Sequence, residues 1–191
     1  MSGNIIYFDR PGPNNTAMVV KAVQKRCAEL GIEHVAVASD SGATAMAMRE
    51  ALDESVTLIA VPEHAGYKDG DEPSLKPEAR KKLEEKGVKV LICAHALSGV
   101  ARSISTRFGG VSGVEIIAHT LRRFGGDGIK VAVEVAVMAA DAGLVPTDRE
   151  IISVGGSGGG ADAAIVLKAA HMTNFFDLEI REILAKPRQR S

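Results

Sequence analysis

Short apolar segments alternate with segments of helical periodicity along the chain, and this alternation restricts the fold more than any other sequence feature. Strands that alternate with helices are typical of a parallel sheet with helices on both faces, so the sequence predicts the α/β class. Strands are predicted at residues 4–8, 35–38, 57–61, 88–93 and 151–154. Helices are predicted at about residues 14–31, 42–53, 77–86, 114–124 and 129–144.

Several segments do not follow a single pattern. Residues 129–144 alternate like a strand, but their alanines and the glycine at 143 suit a buried helix. A helix is predicted there because two neighbouring parallel strands need a crossover between them. Residues 163–169 and 178–185 fit either a strand or a helix, and residues 94–110 are irregular. Neither a repeat nor a linker divides the sequence, so residues 1–191 are predicted to form one domain.

The charge balance argues against nucleic acid and membranes as partners. The net charge is −1 and aromatic residues make up 4% of the chain, which provides neither a positive field nor a base-stacking platform. The most apolar stretch, residues 129–140, contains Lys130 and Glu134 and is too short to span a bilayer.

The two cysteines and the N-terminal sequence bear on localisation. Cys27 lies in an amphipathic helical stretch and Cys93 in an apolar run, so both are predicted to be small buried hydrophobic residues. The N-terminal sequence lacks a basic region followed by a long apolar one, so no signal peptide is predicted. The expectation is a cytoplasmic protein in a reducing compartment.

Polar and glycine-rich residues follow the predicted strands, and ligands of open parallel sheets bind at this carboxyl edge. The best anion-binding candidate is the segment SDSGAT, because a helix that begins there presents unpaired N–H groups and a favourable dipole. The alternative is that Ser39 or Asp40 merely caps the helix. The candidate residues of this segment are Ser39, Asp40, Ser41, Gly42, Ala43 and Thr44.

A second candidate is the segment GGSGGG at residues 155–160. Five glycines in six residues lose much backbone entropy on ordering, and close approach of the main chain to a ligand would explain them. Residues 156–161 fit the dinucleotide-binding fingerprint, but no βαβ unit follows them, and a flexible surface loop is the alternative for the glycine run. The candidate residues here are Gly155, Gly156, Ser157, Gly158 and Gly159.

His95 and two arginines complete the candidate set. His95 follows the fourth predicted strand, where it would serve as an acid, a base or a phosphate partner, although the sequence favours a structural role for any one histidine. Arg102 and Arg107 would either clamp a phosphate or carboxylate, or form salt bridges across a subunit interface. No nucleophile–base pair can be identified, so the residues themselves predict only the binding of a phosphorylated small molecule.

Long stretches of the chain resemble a known family. The segment VAVASDSGATAMAMREALDESVTLIAV resembles the strand, loop and helix of the pyruvate kinase C-terminal domain that grip the phosphate of a sugar-phosphate effector. The stand-alone pyruvate kinase C-terminal-domain-like proteins of archaea and bacteria are more similar still. The stretches that resemble them are AHALSGVARSIS, GGVSGVEIIAHTLRRFG, KVAVEVAVMAADAGLVP, VGGSGGGADAAIVLKAA and FFDLEIREILAKPR.

The resemblance implies a three-layer α/β/α fold with a mainly parallel sheet and an antiparallel strand near the C-terminus. It also implies an association with flavin mononucleotide (FMN) and no settled reaction. Kinase activity is not implied, because the catalytic barrel of pyruvate kinase is missing. The phosphate would bind at Ser39 and residues 41–44, and the flavin near His95, Arg102 and residues 155–160.

Three functions therefore compete. The leading hypothesis is an FMN-binding flavoprotein that uses the flavin in a redox reaction. The second is a non-enzymatic sensor in which a sugar phosphate or nucleotide biases the oligomeric state, and a homo-oligomer is left open. The third is a hydrolase or isomerase that acts on a phosphorylated metabolite through His95.

Overall fold

The computed structural model describes residues 4–68 and 70–189, and its centre is a sheet of seven strands in the order β1-β7-β6-β5-β2-β3-β4. β6 runs antiparallel to both of its neighbours, whereas the other neighbouring strands are parallel. The predicted mainly parallel sheet with an antiparallel strand near the C-terminus is thus confirmed. The strands are β1 (Ile6–Phe8), β2 (His34–Ala38), β3 (Thr57–Val61), β4 (Lys89–Val90), β5 (Glu150–Gly155), β6 (Ala163–Lys168) and β7 (Glu179–Pro187).

Helices cover both faces of the sheet and give the three layers. One core contains buried residues of α1, α2 and α3, and the other contains buried residues of α5 and α6. Alternate residues of β2 belong to opposite cores, since Val35 and Val37 pack into the first and Ala36 into the second. The helices are α1 (Thr16–Leu30), α2 (Ala43–Ala51), α3 (Pro77–Glu85), α4 (Val100–Phe108), α5 (Gly113–Gly125) and α6 (Asp127–Asp141).

The segments of ambiguous pattern are resolved by packing. Residues 129–141 belong to α6, as predicted, and nearly all of them are buried between the sheet and α5. Residues 163–168 and 179–185 are strands, because β6 pairs on both sides. The irregular stretch at 94–110 contains α4, and β4 is restricted to Lys89–Val90 although a strand is predicted to 93.

No helix in the described ranges has the length and apolarity needed to cross a membrane. Cys27 is buried as predicted, and Cys93 is half-buried.

Candidate functional site

A cleft of about 530 Å³ lies at the carboxyl ends of β2, β3 and β5. Its walls come from both faces of the sheet, because α2 contributes on one side and α6 on the other. A volume of this size is in the range of small-molecule sites. The predicted candidates that line it are Ser39, Asp40, Ser41, Thr44, His95, Gly156, Gly158 and Gly159.

The segment SDSGAT forms the beginning of α2, where Gly42 has a positive φ of 85°. The Ser39 hydroxyl accepts a hydrogen bond from the Ala45 N–H at 3.1 Å, so it caps the helix. In the described part of the chain, the N–H groups of Gly42 and Thr44 have no acceptor. A helix end with unpaired donors and a neighbouring hydroxyl is suited to an anion.

Asp40, Gly42 and Ala43 of this segment differ from Ser41 and Thr44 in what surrounds them. The Asp40 carboxylate accepts a hydrogen bond from the Glu63 N–H at 3.0 Å and so joins the loop to the segment after β3. Gly42 and Ala43 do not line the cleft, and a side chain at 42 would come within 3.2 Å of Leu75. Gly42 therefore serves the turn and its packing.

The glycine-rich segment divides into residues that pack internally and residues that face open space. A Cβ at Gly155 would lie 2.1 Å from the Gly128 carbonyl oxygen, and one at Gly156 would lie 2.3 Å from the Gly160 carbonyl oxygen. Gly158 and Gly159 have positive φ and nothing within 4 Å of a Cβ, and both line the cleft. Only part of the run is therefore available to a ligand.

A buried carboxylate fixes this glycine-rich loop. Asp162 Oδ2 accepts hydrogen bonds from the Ser157 N–H at 3.1 Å and from the Gly12 N–H at 2.9 Å. Asp162 is fully buried, its Oδ1 has no partner in the described structure, and burial raises the pKa of the carboxyl. Ser157 does not line the cleft, so its N–H serves the loop.

Aromatic rings form one corner of the cleft. The ring centroid of His95 lies 4.7 Å from that of Tyr67 and 5.1 Å from that of His64. Burial lowers the pKa of His95, which favours a neutral imidazole. Arg102 does not line the cleft, and its Cζ lies 5.9 Å from the Tyr67 ring centroid. Arg107 is exposed on α4.

A buried ion pair on α6 is the site feature that the sequence analysis did not identify. Lys130 and Glu134 line the cleft with side chains only 5% and 4% exposed, and the Nζ–Oε2 distance is 2.5 Å. Glu134 Oε1 accepts a hydrogen bond from the Leu97 N–H at 2.8 Å, and burial lowers the pKa of Lys130. Two opposite charges four residues apart in an otherwise apolar helix were the available signal.

Other charges of the cleft are also paired. Lys68 Nζ lies 2.7 Å from Glu63 Oε2, and the Arg122 Nε lies 3.1 Å from Asp127 Oδ1. Lys68 and Arg122 in the wall of the cleft are therefore each paired with a carboxylate.

The family comparison covers the residues that build this cleft. The family described as pyruvate kinase, alpha/beta domain, matches residues 17–167. The chain belongs to this family. The matched range runs from α1 to β6 and includes the SDSGAT segment, the α6 ion pair and the glycine-rich loop.

Solved structures give weaker similarity. A pyruvate kinase from Cryptosporidium parvum is 15% identical, with a TM-score of 0.43, and the match covers 81% of this chain and 23% of that one. A C. parvum pyruvate kinase in complex with ADP is 16% identical, with a TM-score of 0.39 and coverages of 79% and 22%. This member of the alpha/beta domain family thus spans less than a quarter of those kinase chains.

Proposed function

We propose that this member of the pyruvate kinase alpha/beta domain family binds a phosphorylated small molecule in the cleft, and that the ligand is FMN. The observation that carries the proposal is the beginning of α2, where the N–H of Thr44, a residue that lines the cleft, has no acceptor in the described structure. Thr44 also carries a hydroxyl and is only 6% exposed, and Gly158 and Gly159 line the same cleft.

The cleft residues fit both ends of FMN. Unpartnered N–H donors at a helix N-terminus suit the phosphate. The flavin ring system needs apolar and aromatic cover, and Val131, Val135, Tyr67 and His95 provide it within the same cleft. When bound, FMN supplies electron-transfer chemistry. The residues of this chain would hold the phosphate, orient the ring and exclude water from it.

The first test is the absorbance spectrum of freshly purified protein, followed by titration of colourless protein with FMN and with riboflavin. FMN should bind in preference to riboflavin, because riboflavin lacks the phosphate. The double variant S41A/T44A should weaken FMN binding by about 5- to 150-fold, since hydrogen bonds to a charged group contribute about 1–3 kcal/mol.

A matched control for the hydroxyl deletions is S103A/T106A, which removes the same two groups from exposed positions on α4. Its FMN affinity should equal that of the wild type. Unchanged affinity in S41A/T44A would remove the α2 loop from the site, and a wild-type protein without flavin affinity would refute FMN as the ligand.

A further inference from the structure

The Lys130–Glu134 pair has a donor capacity that the protein does not use. A lysine ammonium has three N–H donors. In the described part of the chain, the Glu134 carboxylate is the one hydrogen-bond acceptor of Lys130 Nζ. Glu134 in turn uses Oε2 for Lys130 and Oε1 for the Leu97 N–H. The carboxylate is thus held by the backbone, while the ammonium has two donors left.

Burial of the Lys130–Glu134 ion pair in α6 costs free energy of hydration. Lys130 and Glu134 are both nine-tenths or more buried, and the attraction within a buried ion pair often does not repay the loss of hydration. The flanking residues of α6 are apolar and pack into the core, so a pair of apolar side chains would serve the packing alone. The pair lies where α6 borders the cleft, which indicates a role toward a ligand.

The position of the pair also restricts the ligand. α2 packs on one face of the sheet and α6 on the other, and both reach the cleft. A molecule that contacts the beginning of α2 and Lys130 together must therefore extend across the carboxyl edge of the sheet. A phosphate ion alone is too small to span two layers.

We infer that Lys130 donates a hydrogen bond to an electron-rich oxygen or nitrogen at the end of the ligand remote from its phosphate, and that Glu134 holds the ammonium in place. This inference rests on the proposed phosphate site at α2. It assigns the ligand class as a phosphate at one end and a ring or chain with a hydrogen-bond acceptor at the other. The carbonyl groups of the flavin ring in FMN meet this requirement.

The test uses the full chain, the double variant K130M/E134Q and three probes, namely FMN, riboflavin and inorganic phosphate. The double variant removes both charges at once, and the amide oxygen introduced at position 134 can still accept from the Leu97 N–H. Affinities for FMN and riboflavin should fall by about 10- to 100-fold, because a hydrogen bond from a charged donor to the ring is lost. Phosphate, titrated directly by calorimetry, should bind as it does to the wild type.

A matched control exists on α3, where Lys81 and Glu85 have the same spacing but side chains 78% and 62% exposed. The variant K81M/E85Q should bind all three probes like the wild type. Wild-type affinity of K130M/E134Q for FMN would overturn the inference and leave the phosphate site standing. An equal loss for inorganic phosphate would also overturn it, because Lys130 would then belong to the phosphate subsite.

If FMN is not the ligand, the titrations give a result that differs from both of these outcomes. Wild-type protein that binds inorganic phosphate but neither FMN nor riboflavin would refute FMN as the ligand, and with it the assignment of Lys130 to a flavin carbonyl. Thermal unfolding of each variant without ligand shows whether a loss of binding reflects a loss of folded protein.

Discussion

Asp162 connects the glycine-rich loop to the segment before α1 through two backbone N–H groups, and it does so without exposure to water. Burial disfavours the charged carboxylate and raises its pKa in the folded protein. The folded state therefore holds this proton more tightly than the unfolded chain, in which an aspartate has a pKa of about 3.9. Stability contributed by Asp162 is present below that value and is lost as the pH rises through the raised pKa.

The variant D162N should lack this pH dependence, because an amide does not titrate in this range. We expect the urea midpoint of the wild type, relative to that of D162N, to fall as the pH rises from about 4 to about 8. Parallel pH profiles for the two proteins would show that the Asp162 pKa is not raised.

Gly155 is required by the contact between β5 and α6. The variant G155A should lose about 1–3 kcal/mol of unfolding free energy or more, since the new Cβ would overlap backbone atoms of Gly128 and Ala132. The control is G113A, at a helical position with no atom within 4 Å of the added methyl, where stability should be unchanged or higher by up to about 1 kcal/mol. Denaturant unfolding measures both, and equal effects would contradict the packing argument.

The sequence predicts some of the residues that line the candidate cleft and not others. The α2 loop could be predicted, because Ser39, Gly42 and Thr44 carry the signature of a helix N-terminus. The sequence cannot show which glycines of residues 155–160 pack against other backbone atoms and which face open space, because both situations require glycine. In the sequence, Lys130 and Glu134 are only two charges that argue against a membrane span, since their burial depends on the packing of α6.

At the level of elements, the stability of the protein depends on the Lys130–Glu134 ion pair of α6. The single variant K130M leaves the Glu134 carboxylate buried without its counter-charge, which should cost about 3–5 kcal/mol of unfolding free energy. K130M/E134Q should recover most of that loss, because no buried charge remains. Urea unfolding compares the two, and an equal stability of K130M and the wild type would show that the pair is not buried as described.

Strands that are buried on both faces of the sheet could be predicted because they form continuous apolar runs, as β3 does. β4 is shorter than predicted because it is an edge strand whose pairing with β3 ends soon after Val90, where the Leu91 N–H still donates to the Ala60 carbonyl oxygen. α4 is not predicted from the sequence, although Val100, Ile104 and Phe108 recur every four residues, because the helix is short and lies between glycines at 99 and 109. The strand character of residues 163–168 follows from pairing with β5 and β7, which no local pattern encodes.

Across the whole molecule, stability should be unevenly distributed. α4 buries none of its residues and exposes Val100, Ile104 and Phe108, whereas α6 is buried along almost its full length. Backbone amides of α4 should therefore exchange with solvent several orders of magnitude faster than those of α6. Native-state hydrogen exchange measures this, and equal protection of the two helices would show that something in solution covers α4.

The pairing of β1 with β7 has a consequence for synthesis. Ile6 pairs with Ala185, so the first of the seven strands to leave the ribosome has its neighbour in the sheet only when the last of them has been made. Contacts between residues so distant in sequence are slow to form. A nascent chain that ends before β7 can assemble β2, β3 and β5 around the cleft, but β1 must wait. Completion of the sheet is thus a late event that reports on the arrival of the last strand.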